Sequence, residues 1–185
     1  MKKGIVFLAV ILLISAISVI SVKRNGKKTN TPKAPSNNML SLTSGQFLQN
    51  GRIPKKFTCD GVNINPPLFI KDIPADSKSL VLIVDDPDAS LGTWTHWLVW
   101  NIDPKGRILR ENSVPAGAIV GKNDFGKTGY GGPCPPNGIH RYFFKVFALD
   151  VQLDLPEGSG RKTLENDMKG HIIDNSELIG LYSRL

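Results

Sequence analysis

The sequence predicts a mostly-β domain that follows an apolar N-terminal segment. From residue 39 onward the apolar runs are short, and Gly, Pro and Asn separate them densely, a pattern typical of β domains. A helical period of apolar residues occurs in one place only. The length of 185 residues allows one ordinary domain and excludes a large multidomain enzyme.

Residues 4–22 form an uncharged apolar run after Lys2 and Lys3. As a helix, its 19 residues would extend roughly 28 Å, about the thickness of a bilayer's hydrocarbon core. We interpret residues 1–22 as a signal peptide or a membrane anchor: the length favours an anchor, while Ser15 and Ala16 are among several small residues that offer cleavage sites. The sequence thus predicts a membrane-anchored or exported protein that contacts the membrane through residues 4–22, and it leaves the side of the membrane open.

The positive charge of the chain is concentrated before the domain. Residues 23–38 are polar and basic with Pro and Gly, which predicts a linker and places the domain at residues 39–185. Seven of the 23 Lys and Arg precede residue 39, leaving 16 basic and 16 acidic residues in the domain. A nucleic-acid-binding domain carries a basic excess on its folded surface, so we expect no nucleic-acid partner.

Four segments of the domain are predicted strands. Residues 79–84 are a continuous apolar run and predict a buried strand, residues 94–102 are rich in aromatic and β-branched residues, residues 142–149 form a third strand, and a last strand starts near residue 177. A side-chain period of two predicts two shared faces, one of Trp94, His96, Leu98 and Trp100 and one of Tyr142, Phe144, Val146 and Ala148.

One helix and one long loop complete the prediction. Leu164, Met168 and His171 or Ile172 recur at helical spacing, which predicts a helix over residues 162–173 whose last turn Gly170 weakens. Residues 121–138 are dominated by Gly, Pro and Asn. A loop of this length in a compact domain is usually functional.

Polar residues accompany three of the predicted strands. Asp85, Asp86 and Asp88 follow the first strand, His96 lies within the second, and His140 and Tyr142 open the third with Arg141 on the opposite face. Taken singly, the carboxylates suit a solvated turn, His96 a buried core histidine and Arg141 a structural ion pair.

Taken together, these motifs resemble a known family. The strings DDPDAS, GTWTHWLVWNID and GGPCPPNGIHRYFFKVFALD, with FTCDGVNINPPL before them and HIIDNSELIGLYSRL after them, resemble the phosphatidylethanolamine-binding protein (PEBP) family, in particular its bacterial and archaeal Raf-kinase-inhibitor-like group. The resemblance covers residues 40–185. It implies a two-sheet antiparallel β-sandwich of Greek-key type with one or two peripheral helices.

The resemblance also implies a small pocket for phosphate-type anions, including the head group of phosphatidylethanolamine. The matching ligand-binding positions are Asp86, Asp88, His96, Gly132, Pro133, His140 and Tyr142. Imidazoles, a Tyr hydroxyl and backbone N–H groups near Gly132 supply donors to a phosphate. Because carboxylates repel an anion, the two Asp residues are expected to hold a histidine or to accept from an ammonium group of the ligand.

The two cysteines, Cys59 and Cys134, lie in Gly- and Pro-rich loops of the family pattern. A disulfide between them is one prediction, and two free thiols are the other. Their separation does not suit a structural zinc site, which takes four ligands at short spacings. We expect no bound metal and no cofactor.

Three classes of function are compatible with these residues. The first is a binding protein, not an enzyme, for a phosphate-bearing small molecule or a phospholipid head group. The second is an inhibitor or regulator of an unidentified protein partner, with a homodimer as a further expectation. The third is a hydrolase or metal-dependent enzyme using Asp86, Asp88, His96 and His140, although the chain lacks the G-x-S-x-G, H-E-x-x-H and P-loop motifs.

Overall fold

The computed structural model describes residues 39–184, so the predicted signal peptide or anchor and the linker lie outside the described residues. Within residues 39–184 no helix is long and apolar enough to cross a membrane. The α-helix found there has seven residues, whereas a membrane span needs about 20. The predicted membrane-anchored or exported localisation is corrected on this finding.

Residues 39–184 form mainly β-structure, as predicted. The strands are β1 (Ser41–Thr43), β2 (Gly51–Arg52), β3 (Leu68–Lys71), β4 (Ser79–Asp86), β5 (Trp94–Ile102), β6 (Ile108–Leu109), β7 (Ile119–Val120), β8 (His140–Leu149) and β9 (Ile172–Tyr182). A 3-10 helix covers Lys55–Phe57 and the α-helix α1 covers Arg161–Asp167. The short strands β1, β2, β6 and β7 were not predicted, because two or three residues cannot show a periodic pattern.

The strands make two sheets. One has three strands in the order β1-β3-β6, and the other has six in the order β2-β9-β8-β4-β5-β7. All pairs of strands within these sheets are antiparallel except β2 with β9, which is parallel. This departs from the all-antiparallel prediction because the chain at Asn50 and Ile53 continues beside β9 in the same direction, donating to the carbonyls of Ile179 and Leu181. The Greek-key connectivity stays a prediction.

The central strand β4 is buried along its whole length, which confirms the buried strand predicted at residues 79–84. Its side chains alternate between two apolar clusters. Leu80 and Leu82 join side chains of both sheets in one cluster, and Val81 and Ile83 join Leu164 of α1 in the other. One strand therefore contributes to both layers of the core.

The predicted common face of Trp94, His96, Leu98 and Trp100 is wrong. Val84 is paired with Trp97 and Asp85 with Thr95, so His96 is the extra residue of a β-bulge. A bulge inserts one residue and turns the following side chains to the opposite face. As a result Leu98 and Trp100 lie in the α1 cluster, while the His96 ring contacts Tyr142 on the other side of the sheet.

The predicted helix at residues 162–173 is too long. The α-helix ends at Asp167, and Gly170 adopts a φ of +82°, a left-handed conformation that terminates helices. Ile172 already pairs with Leu149 of β8, so the last strand begins five residues before the predicted start. Pairing with the long neighbouring strand outweighs the helical spacing of His171 and Ile172.

Candidate functional site

A cavity of about 240 Å³ opens beside the end of β4 and the beginnings of β5 and β8. Its lining combines two histidines and one carboxylate with apolar and aromatic side chains. The residues are Asp86, Ala89, Ser90, Leu91, Trp94, His96, Phe125, Cys134, Pro135, Pro136 and His140. The three strands thus bring together residues that are far apart in the sequence.

His140 and Asp86 form a buried pair at the base of the cavity. The Nδ1 atom of His140 lies 2.7 Å from Oδ2 of Asp86, and the two side chains are 9% and 5% exposed. A carboxylate is an acceptor, so Nδ1 carries the proton and donates. The other Asp86 oxygen accepts the backbone N–H of Asp88 at 2.8 Å. Asp86 therefore orients His140 and leaves its Nε2 for the cavity.

His96 is fixed in a similar way by a backbone carbonyl. Its Nδ1 lies 2.6 Å from the oxygen of Gly131, and because a carbonyl only accepts, Nδ1 is again the donor. The Gly131 N–H in turn donates to the His96 carbonyl at 2.9 Å. Burial lowers the pKa of His96, an effect that the Gly131 carbonyl and the charge of Asp86 oppose in part. The neutral His96 ring thus presents Nε2 as an acceptor.

Tyr142 lies behind both histidines rather than in the wall of the cavity. Its ring meets His96 edge-on with centroids 5.2 Å apart and stacks on His140 at 6.5 Å. Burial, together with the negative charge of Asp86, raises the pKa of its hydroxyl, which also approaches the backbone of Cys134. Tyr142 is fully buried, so its place in the structure is a support for the two imidazoles.

Asp88 does not line the cavity and pairs with Arg141. The guanidinium Nε and Nη2 donate to the two carboxylate oxygens at 2.9 and 2.7 Å, and the Arg141 backbone N–H adds a third hydrogen bond. These contacts lower the pKa of Asp88 to about 2. Of the two predicted carboxylates, Asp86 lines the cavity and Asp88 forms an ion pair with the exposed Arg141.

Gly132 and Pro133 also lie outside the lining of this cavity. The Gly132 N–H, expected to face an anion, donates to Oδ1 of Asn63 at 2.7 Å, and the Pro133 carbonyl accepts from Cys59 at 3.1 Å. A Cβ at Gly132 would collide with the Phe57 carbonyl and stand 2.6 Å from that Asn63 oxygen. Both residues attach the Gly-rich loop to the segment after the 3-10 helix.

A disulfide joins Cys59 and Cys134, with Cα atoms 5.4 Å apart. Of the two alternatives left open by the sequence, the structure contains the disulfide. It holds the Gly-rich loop to the same neighbouring segment, and Cys134 contributes directly to the cavity wall.

The apolar part of the cavity wall was not predicted from the sequence. Trp94 and Phe125 contact each other edge-on at 5.4 Å, and Phe125 also contacts His96 at 5.3 Å. Trp94 begins the predicted strand at residues 94–102, and its predicted position on the same face as His96 could have indicated that it lies near the site. Phe125 lies in the long loop of residues 121–138, where no periodicity indicates its neighbours.

Residues 39–184 contain no group of three or more His, Cys, Asp and Glu side chains placed to hold a metal ion. The physical reason lies in the partners already described. Both oxygens of Asp86 accept hydrogen bonds from protein groups and Asp88 is engaged by Arg141, so among the described residues the two histidine Nε2 atoms have no third ligand beside them. The arrangement is suited to hydrogen bonding through two Nε2 atoms.

Comparison with known proteins shows the family of the chain. A family model described as phosphatidylethanolamine-binding protein matches residues 43–183. A UPF0098 protein of Methanothermobacter thermautotrophicus is 47% identical over 150 residues, which is 78% of this chain and 99% of the relative. Another from Pyrococcus horikoshii is 52% identical over 154 residues, covering 79% of this chain and 78% of the relative.

Two crystal structures have the same overall fold. One is of a Chlamydia trachomatis protein described as a putative PEBP homolog, with a TM-score of 0.77 and 44% identity over 80% of this chain and 99% of the other. The second is of E. coli YbcL, described as a new member of the mammalian PEBP family, with a TM-score of 0.76 and 29% identity over 80% of this chain and the whole of the other.

Proposed function

We propose that this chain, which belongs to the phosphatidylethanolamine-binding protein family, is a binding protein for a phosphate-type anion. The ligand is a phosphorylated small molecule or the phosphoryl head group of a phospholipid. It occupies the cavity between His96 and His140.

This proposal depends on one observation, which is that the two histidines have the same hydrogen-bonding arrangement. Each has Nδ1 fixed as a donor to the protein, one to a carbonyl and one to a carboxylate, and each keeps Nε2 for a ligand. A protonated imidazole donates from Nε2 to a phosphate oxygen, and a neutral one accepts from a phosphate hydroxyl. Among the described residues no Lys or Arg lines the cavity, so the two imidazoles are the side chains of the lining that carry a positive charge when they are protonated.

The test is an NMR titration of the full chain with phosphorylethanolamine, following the imidazole signals. His171 is the internal control because it also pairs through Nδ1 with a carboxylate, Asp150 at 2.9 Å, but does not line the cavity. We expect saturable shifts of His96 and His140 with His171 unmoved. The His96→Gln variant should lose these shifts and His171→Gln should keep them; equal shifts at all three histidines, or none up to millimolar ligand, would refute the proposal.

The buried Asp86–His140 pair favours a second candidate, a hydrolase in which His140 is a general base oriented by Asp86. Turnover of an ester panel that is abolished by His140→Gln would replace binding by catalysis as the function. We propose the binding role without catalysis as the first candidate. A regulatory action on a protein partner stays a prediction.

A further inference from the structure

The Cys59–Cys134 disulfide lies in the partition between two cavities. Cys134 lines the anion cavity, and both cysteines line a second cavity of about 290 Å³ that extends toward Asn63 and Lys127. Phe125 borders both cavities. Both cysteines are partly exposed, and the cavities that they line are the paths by which a small dithiol would approach the disulfide.

On its N-terminal side, the disulfide-bonded loop is held by hydrogen bonds. The Tyr130 hydroxyl donates to the Phe57 carbonyl at 2.9 Å. Gly131 exchanges two hydrogen bonds with His96, and Gly132 donates to Asn63. The Pro133 carbonyl accepts from Cys59. Residues 130–133 therefore keep several attachments that do not depend on the sulfur–sulfur bond.

On its C-terminal side, the loop has few such attachments. Among the described residues, nothing donates to or accepts from residues 134–139 in a regular hydrogen bond, apart from the approach of the Cys134 backbone to the Tyr142 hydroxyl. Pro135 and Pro136 line the anion cavity and have no backbone N–H to donate. Between Pro133 and the start of β8, the disulfide and the packing of the buried Pro135 are thus what holds this part of the wall.

We propose that the Cys59–Cys134 disulfide is a redox-modification site for dithiol reductants, and that its reduction releases residues 134–139 and weakens anion binding. The release of residues 134–139 is inferred from their contacts, whereas the effect on anion binding rests on the proposed function. Residues 134–139 form the wall segment.

The chemistry is thiol–disulfide exchange. A thiolate of the reductant attacks one protein sulfur, the Cys59–Cys134 bond breaks, and its electron pair leaves on the other sulfur as a thiolate. The second thiol of the reductant then attacks the mixed disulfide. The protein gains two electrons and, after protonation, two thiols, and the reductant leaves as its own disulfide.

Reduction is expected to lower the fraction of molecules in which the wall segment occupies the position seen in the structure. If the released segment occupies its bound position about one tenth of the time, the apparent dissociation constant for phosphate rises about tenfold. Residues 130–132 and the ring of His96 keep their hydrogen bonds, so the change should be confined to the wall segment and its contacts.

The experiment compares the oxidised chain with the chain reduced by dithiothreitol, using amide NMR relaxation and phosphate titration. In the reduced chain we expect the amide order parameters of Cys134 and residues 137–139, the members of the wall segment with an N–H, to fall below about 0.6. Those of residues 130–132 should stay high, and phosphate should bind about tenfold more weakly. Reoxidation should restore both. The variant with Cys59→Ser and Cys134→Ser should have the order parameters and phosphate affinity of the reduced chain, and dithiothreitol should not change them.

The outcomes separate the redox site from the proposed function. Equal order parameters of the wall segment in both redox states, with only a lower melting temperature after reduction, would show a disulfide that merely stabilises the fold and would overturn the inference. Release of the wall with equal phosphate affinity would overturn its link to binding. Release of the wall without phosphate binding in either state would support the redox site and refute the proposed anion function.

Discussion

His96 shows how one residue can combine a structural and a functional constraint. The β-bulge turns its ring toward the cavity, and burial lowers its pKa. In the unfolded chain an ordinary histidine with a pKa near 6.5 takes up a proton that the folded His96 resists. His96 therefore makes the free energy of unfolding fall as the pH drops below about 6.5 toward the lower folded-state pKa.

Replacing Asp86 tests its influence on His96. The carboxylate charge raises the pKa of His96 against the opposing effect of burial, so Asp86→Asn should lower that pKa further and weaken phosphate binding severalfold. The measurement is an imidazole NMR titration with and without phosphate. Asp150→Asn, which alters the exposed partner of His171, is the matched control and should leave His96 unchanged. An unchanged His96 pKa in Asp86→Asn would contradict the electrostatic role.

Sulfate binding should strengthen as the pH falls. Sulfate keeps its charge between about pH 8 and pH 5, so a change in affinity reports protonation of the imidazoles. If His96 takes up one proton with the anion, affinity rises up to about tenfold per pH unit above the His96 pKa, which burial lowers. Calorimetric titrations at several pH values check this, with His171→Gln expected to behave like the parent chain. Affinity independent of pH would exclude imidazolium donors.

Arg141 holds the pKa of Asp88 at about 2. Since this pKa is lower than in the unfolded chain, the stabilisation is present above pH 3.8 and disappears as the pH falls through about 2. Arg141→Ala should return the Asp88 pKa toward its ordinary value, as measured by carboxyl NMR. Phosphate affinity should be unaffected, because neither residue lines the cavity; a large loss of binding would show that Asp88 belongs to the site after all.

At the scale of elements, a buried carboxylate joins α1 to the large sheet. Asp85 of β4 is 0% exposed in its side chain and pairs with Lys145 of β8 at 2.8 Å and Arg161 of α1 at 2.9 Å. Asp85 and Asp86 are neighbours on β4, so strand alternation sends them to opposite faces. One therefore positions the helix, and the other positions His140 of the cavity.

Asp85→Asn should lower the free energy of unfolding by about 2 kcal/mol, because it leaves two cations without their carboxylate and both can turn partly to solvent. Urea denaturation measures the change. Glu165→Gln is the control, since Glu165 forms only an exposed pair with Arg161 and such pairs are worth about 0.5 kcal/mol. Equal effects of the two variants would contradict the assigned role of Asp85.

At the scale of the whole molecule, the two apolar clusters share β4 and should unfold together. Leu164→Ala removes a fully buried side chain of the α1 cluster and should cost about 3 kcal/mol. Trp97 and Trp100 belong to different clusters. Tryptophan fluorescence and circular dichroism should therefore report one common unfolding midpoint in the parent and in the variant, whereas separate midpoints would show independent layers.

Local patterns along the chain are enough to predict the β class, the long strands and the family. These features depend on local periodicity and on motifs that stay contiguous in the chain, as in residues 79–84 and 140–142. Several predicted site residues, Asp86, His96 and His140, do line one cavity. Short strands such as β6 and β7 gave no periodic signal.

The separate roles of these site residues depend on contacts that form only in the folded chain. The bulge that turns His96 inward depends on pairing between β4 and β5, and the division of Asp86 and Asp88 between His140 and Arg141 depends on β8. The disulfide unites residues 75 positions apart. Hydrogen bonds and sulfur bridges form between groups that the fold brings within a few ångströms, and spacing along the chain does not encode that distance.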